Sequence, residues 1–232
     1  MKQLALITAF LASLTQPVAA QDFEGARAAY HNEDYETALR HLRPLAKQGY
    51  TPAQRQLGWM YSQGQGVPVD YGKAVKWLRQ AAEQGNENAQ HAIGVMYEHG
   101  RGVFHDYAEA IKWYGKAAEQ GNARSQYNLG WIHYEGKGIS QNYAKAVKWW
   151  RKTAKQGLAK GQFNLGVSYV NGRGVRRDRS IAHVWFSVSA ANGHERGVTA
   201  RNELETRLTP AELMKARVIF RQCWKKPASC PE

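Results

Sequence analysis

A repeat of 36 residues runs through most of this chain and constrains its fold more than any other feature. Glycine and tryptophan return in register over four copies. The recurring positions are Gly58, Gly94, Gly130 and Gly166; Gly64, Gly100, Gly136 and Gly172; Gly66, Gly102, Gly138 and Gly174; Trp77, Trp113, Trp149 and Trp185; and Gly85, Gly121, Gly157 and Gly193. Such a period predicts one small structural unit per copy, which buries its apolar face only by stacking on the next copy.

Each copy is predicted to form two antiparallel helices. The segment "YGKAVKWLRQAAEQG" (71–85) carries apolar residues at helical spacing and ends on a glycine that suits a helix C-terminus. A shorter helix precedes it over 51–64, with Thr51 predicted as its cap and Pro52 in its first turn. The predicted N-caps of the longer helices are Asp70, Asp106, Asn142 and Asp178. The paired glycines of "GQGV" and its equivalents would turn the chain between the two helices.

The consensus A-x-x-x-L-G-x-x-Y-x-x-G-x-G-V-x-x-D-x-x-K-A-x-x-W-x-x-K-A-A-x-x-G resembles the Sel1-like repeat, a relative of the tetratricopeptide repeat. The resemblance places four Sel1-like repeats at 53–88, 89–124, 125–160 and 161–196, and the fourth departs most, with "FSVSAANG" at its end. Residues 21–52 resemble a tetratricopeptide-like first helix pair, and 197–232 resemble capping helices with a tail. The implied fold is all-α, a right-handed α/α solenoid.

The first twenty residues predict a secretory signal peptide (1–20). Lys2 precedes an apolar run over 4–14, and the small residues Val18 and Ala20 favour cleavage before Gln21. That run is shorter than the roughly 20 residues needed to cross a bilayer as a helix. We therefore expect an exported protein, periplasmic or secreted, with no membrane span in the mature chain.

The chain carries a formal net charge of +13. In an exported protein this charge favours anionic envelope or host-surface material over nucleic acid as a partner. An equally open interpretation is that the charge only keeps the protein dispersed.

The two cysteines lie near the C-terminus. An oxidising compartment and the turn-forming "KKPAS" between Cys223 and Cys230 make a small disulfide possible. No second cysteine pair or histidine accompanies them, so neither a metal site nor any cofactor is predicted.

Residues that the consensus leaves free are the candidates for binding a partner. On the first helix of each repeat they follow i, i+4, i+7 spacing, and the resemblance to tetratricopeptide proteins implies that this stripe lines a concave, peptide-binding face. The candidate partner-binding residues are Arg55, Trp59, His91, Tyr127, Trp131 and Tyr134. Large aromatic residues of this kind often anchor partners. The alternative is that they only pack against the next repeat.

A second candidate surface is basic. Arg101, Lys137 and Arg173 stand between the paired glycines, and Arg176 and Arg177 extend the series. Aligned along one edge, these residues would form a ridge for an anionic glycan or peptidoglycan. A solvated face is the more common explanation for such rows.

Catalytic motifs are missing from the sequence: G-x-S-x-G, H-E-x-x-H and G-x-x-x-x-G-K-[ST] do not occur. Some cysteine-rich Sel1-like relatives have been linked to penicillin binding and β-lactamase activity, but this chain lacks S-x-x-K and one disulfide per repeat. The resemblance instead implies a non-enzymatic scaffold or adaptor for a protein or peptide partner, in the envelope or at a host cell. An anionic-glycan binder is the alternative, and a penicillin-recognising hydrolase is a third hypothesis.

Overall fold

The predicted helix pairs are present in the computed structural model, which describes residues 19–225 and 230. Within those residues there are twelve helices and no strand, as the all-α prediction requires. The helices are α1 (19–31), α2 (Tyr35–Lys47), α3 (Thr51–Gln63), α4 (Tyr71–Glu83), α5 (Glu87–His99), α6 (Tyr107–Glu119), α7 (Ala123–Glu135), α8 (Tyr143–Lys155), α9 (Ala159–Asn171), α10 (Arg179–Ala191), α11 (Glu195–Glu205) and α12 (Pro210–Lys225). Consecutive helices pack on one another, as in α3 with α4 and α9 with α10.

The chain divides within α6 into two compact units, the first ending at Trp113 and the second beginning at Tyr114. The core of the first unit includes Leu57 and Leu78, both fully buried. The core of the second unit is built around Trp150, which is only 1% exposed, and Leu165. Each unit therefore has its own apolar interior.

Helix ends follow the predicted capping residues. The Asp70 carboxylate accepts a hydrogen bond from the backbone N–H of Lys73, and the Asn142 side chain accepts one from Lys145. Asp106 and Asp178 make the equivalent bonds at α6 and α10. At the other end, the closing glycines take positive φ values, 90° at Gly85 in the first unit. These caps satisfy backbone groups that a helix leaves unpaired at its ends.

Thr51 is not the cap of α3, so that prediction was wrong. Tyr50 occupies the N-cap position without a side-chain hydrogen bond, and Pro52 lies in the first turn. The Thr51 hydroxyl donates instead to the Gln84 side chain at 2.7 Å. A tertiary hydrogen bond to the end of α4 has therefore taken the place of the local capping bond.

The paired-glycine loops at Gly102 and Gly174 contact the preceding repeat as well as reversing the chain. Gly102 and Gly174 have φ values of 71° and 74°, in the left-handed region that favours glycine. A Cβ atom at either position would overlap the backbone carbonyl of a tyrosine, Tyr71 for Gly102 and Tyr143 for Gly174. Each of these tyrosines begins the second helix of the preceding repeat, so the loop lies directly on that helix N-terminus.

A series of buried glutamines forms a further link that the sequence analysis did not identify. The Gln90 side chain donates to the Ala82 carbonyl in the first unit, and the Gln126 side chain donates to the Ala118 carbonyl in the second. Gln54 and Gln162 make the same bond. Each glutamine thus pairs a carbonyl at the C-terminal end of the preceding helix, which would be costly to bury alone. Their 36-residue spacing was the signal available in the sequence.

The predictions of a signal peptide and of a terminal disulfide concern the two ends of the chain. No helix within residues 19–225 combines the length and apolar character needed to cross a membrane. The predicted signal peptide lies outside the described residues except for 19 and 20, which are helical and continuous with 21–31. Near the other end, Cys223 and Cys230 are joined as a disulfide.

Candidate functional site

In the first unit, Trp59 is the most exposed residue of the predicted stripe. Its side chain on α3 is 45% exposed, whereas Ser62, three residues further on, is buried. The Ser62 hydroxyl donates to the Trp59 carbonyl and so is occupied locally. Arg55 lies one turn before Trp59 and is half-buried. The part of the stripe on α3 that can meet a partner is therefore Arg55 and Trp59.

Arg55 lies in an unusual electrostatic setting. Burial, and then the nearby positive charge of Arg27, lower the pKa of Arg55. Within residues 19–225 and 230, Arg55 makes no hydrogen bond or ion pair, while Arg27 is paired with Glu24 at 2.8 Å. A half-buried guanidinium without a counter-charge is costly, and an anionic group from a ligand would lower that cost. His91, on α5 of the same unit, is half-buried.

In the second unit, the stripe residues of α7 pack into an aromatic cluster. The ring centroid of Trp131 lies 6.4 Å from that of Tyr127, 5.4 Å from that of Tyr134 and 5.5 Å from that of Trp150, all edge to face. Such geometry is favourable for aromatic pairs. Tyr127, Trp131 and Tyr134 are each half-buried. These rings contribute to the core and leave only part of their surface open.

The basic residues between the paired glycines already interact with tyrosine or glutamate side chains of the protein. The Arg101 guanidinium lies over the Tyr71 ring, 5.8 Å from its centroid. Arg173 lies over the Tyr143 ring at 5.5 Å and donates a hydrogen bond to the Tyr134 hydroxyl, which raises the pKa of Arg173. Lys137 pairs with Glu135 at 2.6 Å. These cations therefore stack on aromatic faces or pair locally.

Arg176 and Arg177 differ from the other members of the predicted ridge. Both are exposed, and they line a cavity of about 620 Å³ between the loop that follows α9 and the side of α12. In the described part of the chain, no group of three or more His, Cys, Asp or Glu residues is placed to hold a metal ion.

The Sel1 repeat family model matches residues 24–50, 51–86, 88–122, 123–158 and 159–194. The chain belongs to the Sel1 repeat family. The first match covers the stretch that resembles a tetratricopeptide pair in the sequence analysis. Proteins built from Sel1 repeats are generally non-catalytic scaffolds that bind other proteins, and this Sel1 repeat protein has that scaffold fold.

Two solved structures resemble this Sel1 repeat protein over most of its length. One is a protective antigen present in uropathogenic Escherichia coli strains, which displays an SLR fold; it is 35% identical, with a TM-score of 0.81 over 93% of this chain. The match covers 48% of the antigen, so this chain spans about half of its length. The other is a Sel1 repeat protein from Oxalobacter formigenes, 34% identical over 76% of this chain and 70% of its own, with a TM-score of 0.71.

A putative Sel1 repeat protein from Klebsiella pneumoniae shares the fold at 20% identity, with a TM-score of 0.52 over 81% of this chain and 93% of its own. A comparison with curated proteins gave no match. These solved structures support the predicted α-solenoid class for this Sel1 repeat protein, and the family resemblance seen in the sequence is confirmed.

Proposed function

We propose that this Sel1 repeat protein is an exported scaffold that binds a peptide segment of a partner protein, with Trp59 and Arg55 as the anchor. The observation that carries the proposal is the exposure of Trp59, 45%, on the predicted binding stripe. Tryptophan and arginine are the residue types that most often dominate binding energy at interfaces. Both side chains project from one rigid helix, which limits the ordering cost of binding.

The chemistry of the anchor indicates the kind of segment it would bind. Trp59 offers an apolar face, and Arg55 offers an unpaired positive charge one helical turn away. A segment with a carboxylate close to an aromatic or aliphatic side chain would satisfy both. The carboxylate would supply the counter-charge that Arg55 lacks, because guanidinium and carboxylate groups form strong, directional hydrogen bonds.

The test is a selection from a display library of random peptides, followed by affinity measurements on one selected peptide. We expect the selected peptides to place an acidic residue near an apolar one. Trp59→Ala should weaken binding about 30-fold, the loss typical of a binding hot spot, and Arg55→Gln about ten-fold.

The matched control is Phe104→Ala, which removes an aromatic side chain that is 96% exposed in the first unit but lies on a loop outside the stripe. Its affinity for the selected peptide should equal that of the wild type. If Trp59→Ala binds as tightly as Phe104→Ala, or if no peptide is enriched, the proposal is wrong.

Export is the second part of the proposal. It is supported by the charged start, apolar run and small residues of 1–20. The E. coli relative is a protective antigen, and by analogy we propose that this chain acts in the envelope or in contact with a host. N-terminal sequencing of protein recovered outside the cytoplasm should read from Gln21. Recovery of an intact N-terminus from the cytoplasm alone would exclude export.

A further inference from the structure

A basic cavity lies in the second unit, and its lining includes none of the residues of the predicted stripe. It measures about 620 Å³ and is bounded by α8, the loop between α9 and α10, and α12. Its charged lining comprises four cations, Arg151, Arg176, Arg177 and Lys215, and one carboxylate, Asp178. The cations come from three separate parts of the chain, so the fold has gathered them in one place.

The single carboxylate of this cavity is already engaged. The Asp178 carboxylate forms an ion pair with Lys215 at 2.8 Å and accepts the capping hydrogen bond from the Ile181 N–H. The three arginines have no carboxylate partner within residues 19–225 and 230. Arg151 donates from Nη2 to the Tyr169 hydroxyl at 3.1 Å, and its Nε is buried without a hydrogen-bond partner. Arg176 and Arg177 are exposed and form no ion pair there.

The same loop forms a matching cavity in the first unit, with different chemistry. That cavity, of about 700 Å³, is lined by Tyr97, Gly102, Val103 and Asp106, which are the repeat equivalents of Tyr169, Gly174, Val175 and Asp178. Where the second unit has Arg176 and Arg177, the first has Phe104 and His105. The recess therefore belongs to the repeat. Arg79 in the first unit donates to the Tyr97 hydroxyl at 2.8 Å, as Arg151 donates to Tyr169, so the pair Arg176 and Arg177 is what distinguishes the cavity of the second unit.

We propose that the cavity lined by Arg151, Arg176, Arg177 and Lys215 binds an oxyanion group, a phosphate or a carboxylate, of an anionic ligand. Guanidinium groups bind such oxygens through paired hydrogen bonds. An excess of positive charge in a recess also attracts anions more strongly than the same charge on an open face. This site shares no residue with the peptide anchor in the first unit, so each of the two proposals can fail without affecting the other.

The test is a calorimetric and NMR titration of the protein with two probes, inorganic pyrophosphate and tricarballylate, in low salt. We expect saturable 1:1 binding of at least one probe, with the arginine side-chain N–H signals of the cavity shifting. Arg176→Gln/Arg177→Gln should weaken that binding about ten-fold or more, the loss expected for charge-assisted hydrogen bonds. Preference for pyrophosphate would identify a phosphate-bearing ligand, and preference for tricarballylate a carboxylate-bearing one such as an acidic sugar.

The matched control is Lys145→Gln/Lys148→Gln, which removes the same charge from exposed positions on α8. Its affinity for the probe should stay within about two-fold of wild type, since screened surface charges contribute little. Equal weakening by the two double variants would mean that only the net charge attracts the probe, and the site would be rejected. Absence of saturable binding by the wild type for both probes would reject it as well.

Discussion

Replacing Trp150 with alanine should lower the free energy of unfolding of the protein by about 4 kcal/mol, the usual cost of removing a buried tryptophan. Trp150 is 1% exposed, and its ring contacts both Trp131 and Tyr134, with centroids 5.5 and 5.4 Å apart. Its loss would leave a cavity beneath the aromatic cluster of α7. Urea denaturation followed by far-UV circular dichroism measures the change.

The neighbouring tryptophan provides the control. Trp149 is half-buried, and Lys152 lies over its ring at 4.5 Å from the centroid. Trp149→Ala should cost about 2 kcal/mol, less than Trp150→Ala, because part of the Trp149 ring is already exposed to solvent in the folded protein. Equal losses at the two positions would show that Trp150 does not anchor the core of the second unit.

A second large effect is expected at Gly130, where α7 approaches α8. A Cβ atom at this position would overlap Trp150 Nε1 and lie 2.9 Å from Trp150 Cε2. The indole ring is buried and cannot move aside cheaply. Gly130→Ala should therefore destabilise the protein by about 3 kcal/mol, as overpacked cores do, despite the better helix propensity of alanine.

Gly115 is the matched position for this experiment because it also lies inside a helix, α6, but in open surroundings. A Cβ atom there would meet nothing within 4 Å. Gly115→Ala should stabilise the protein by about 1 kcal/mol through helix propensity alone. The two substitutions are thus expected to have opposite signs in the same denaturation assay. A change in the same direction for both would contradict the close contact at Gly130.

The helix pairs could be predicted because their signals are local. Asp70 and Asn142 cap helices through bonds to residues three positions away, and the closing glycines act on their own helix ends. The Thr51 prediction failed because its hydroxyl bonds to Gln84, which is distant in sequence. The repeat period supplied the remaining information, since a regular array fixes which helices are neighbours.

The candidate site was less predictable because exposure depends on packing partners that differ from one copy to another. Trp59 and Trp131 occupy the same position in their repeats, yet Trp59 is 45% exposed while Trp131 packs on Trp150. The first repeat has Leu78 at the position equivalent to Trp150. Similarly, the missing counter-charge of Arg55 is a property of its surroundings, which no motif in the sequence records.

The contacts of the Gly102 and Gly174 loops with the preceding repeats limit how the array can have changed in length. The same number of residues separates Gly102 from Tyr71 and Gly174 from Tyr143. An insertion or deletion within that stretch would move the glycine off the tyrosine carbonyl and leave a side chain in its place. Gain or loss of a whole 36-residue repeat preserves both contacts. Duplication of a complete repeat in the gene is therefore the step by which an ancestor of this protein could lengthen without losing its packing.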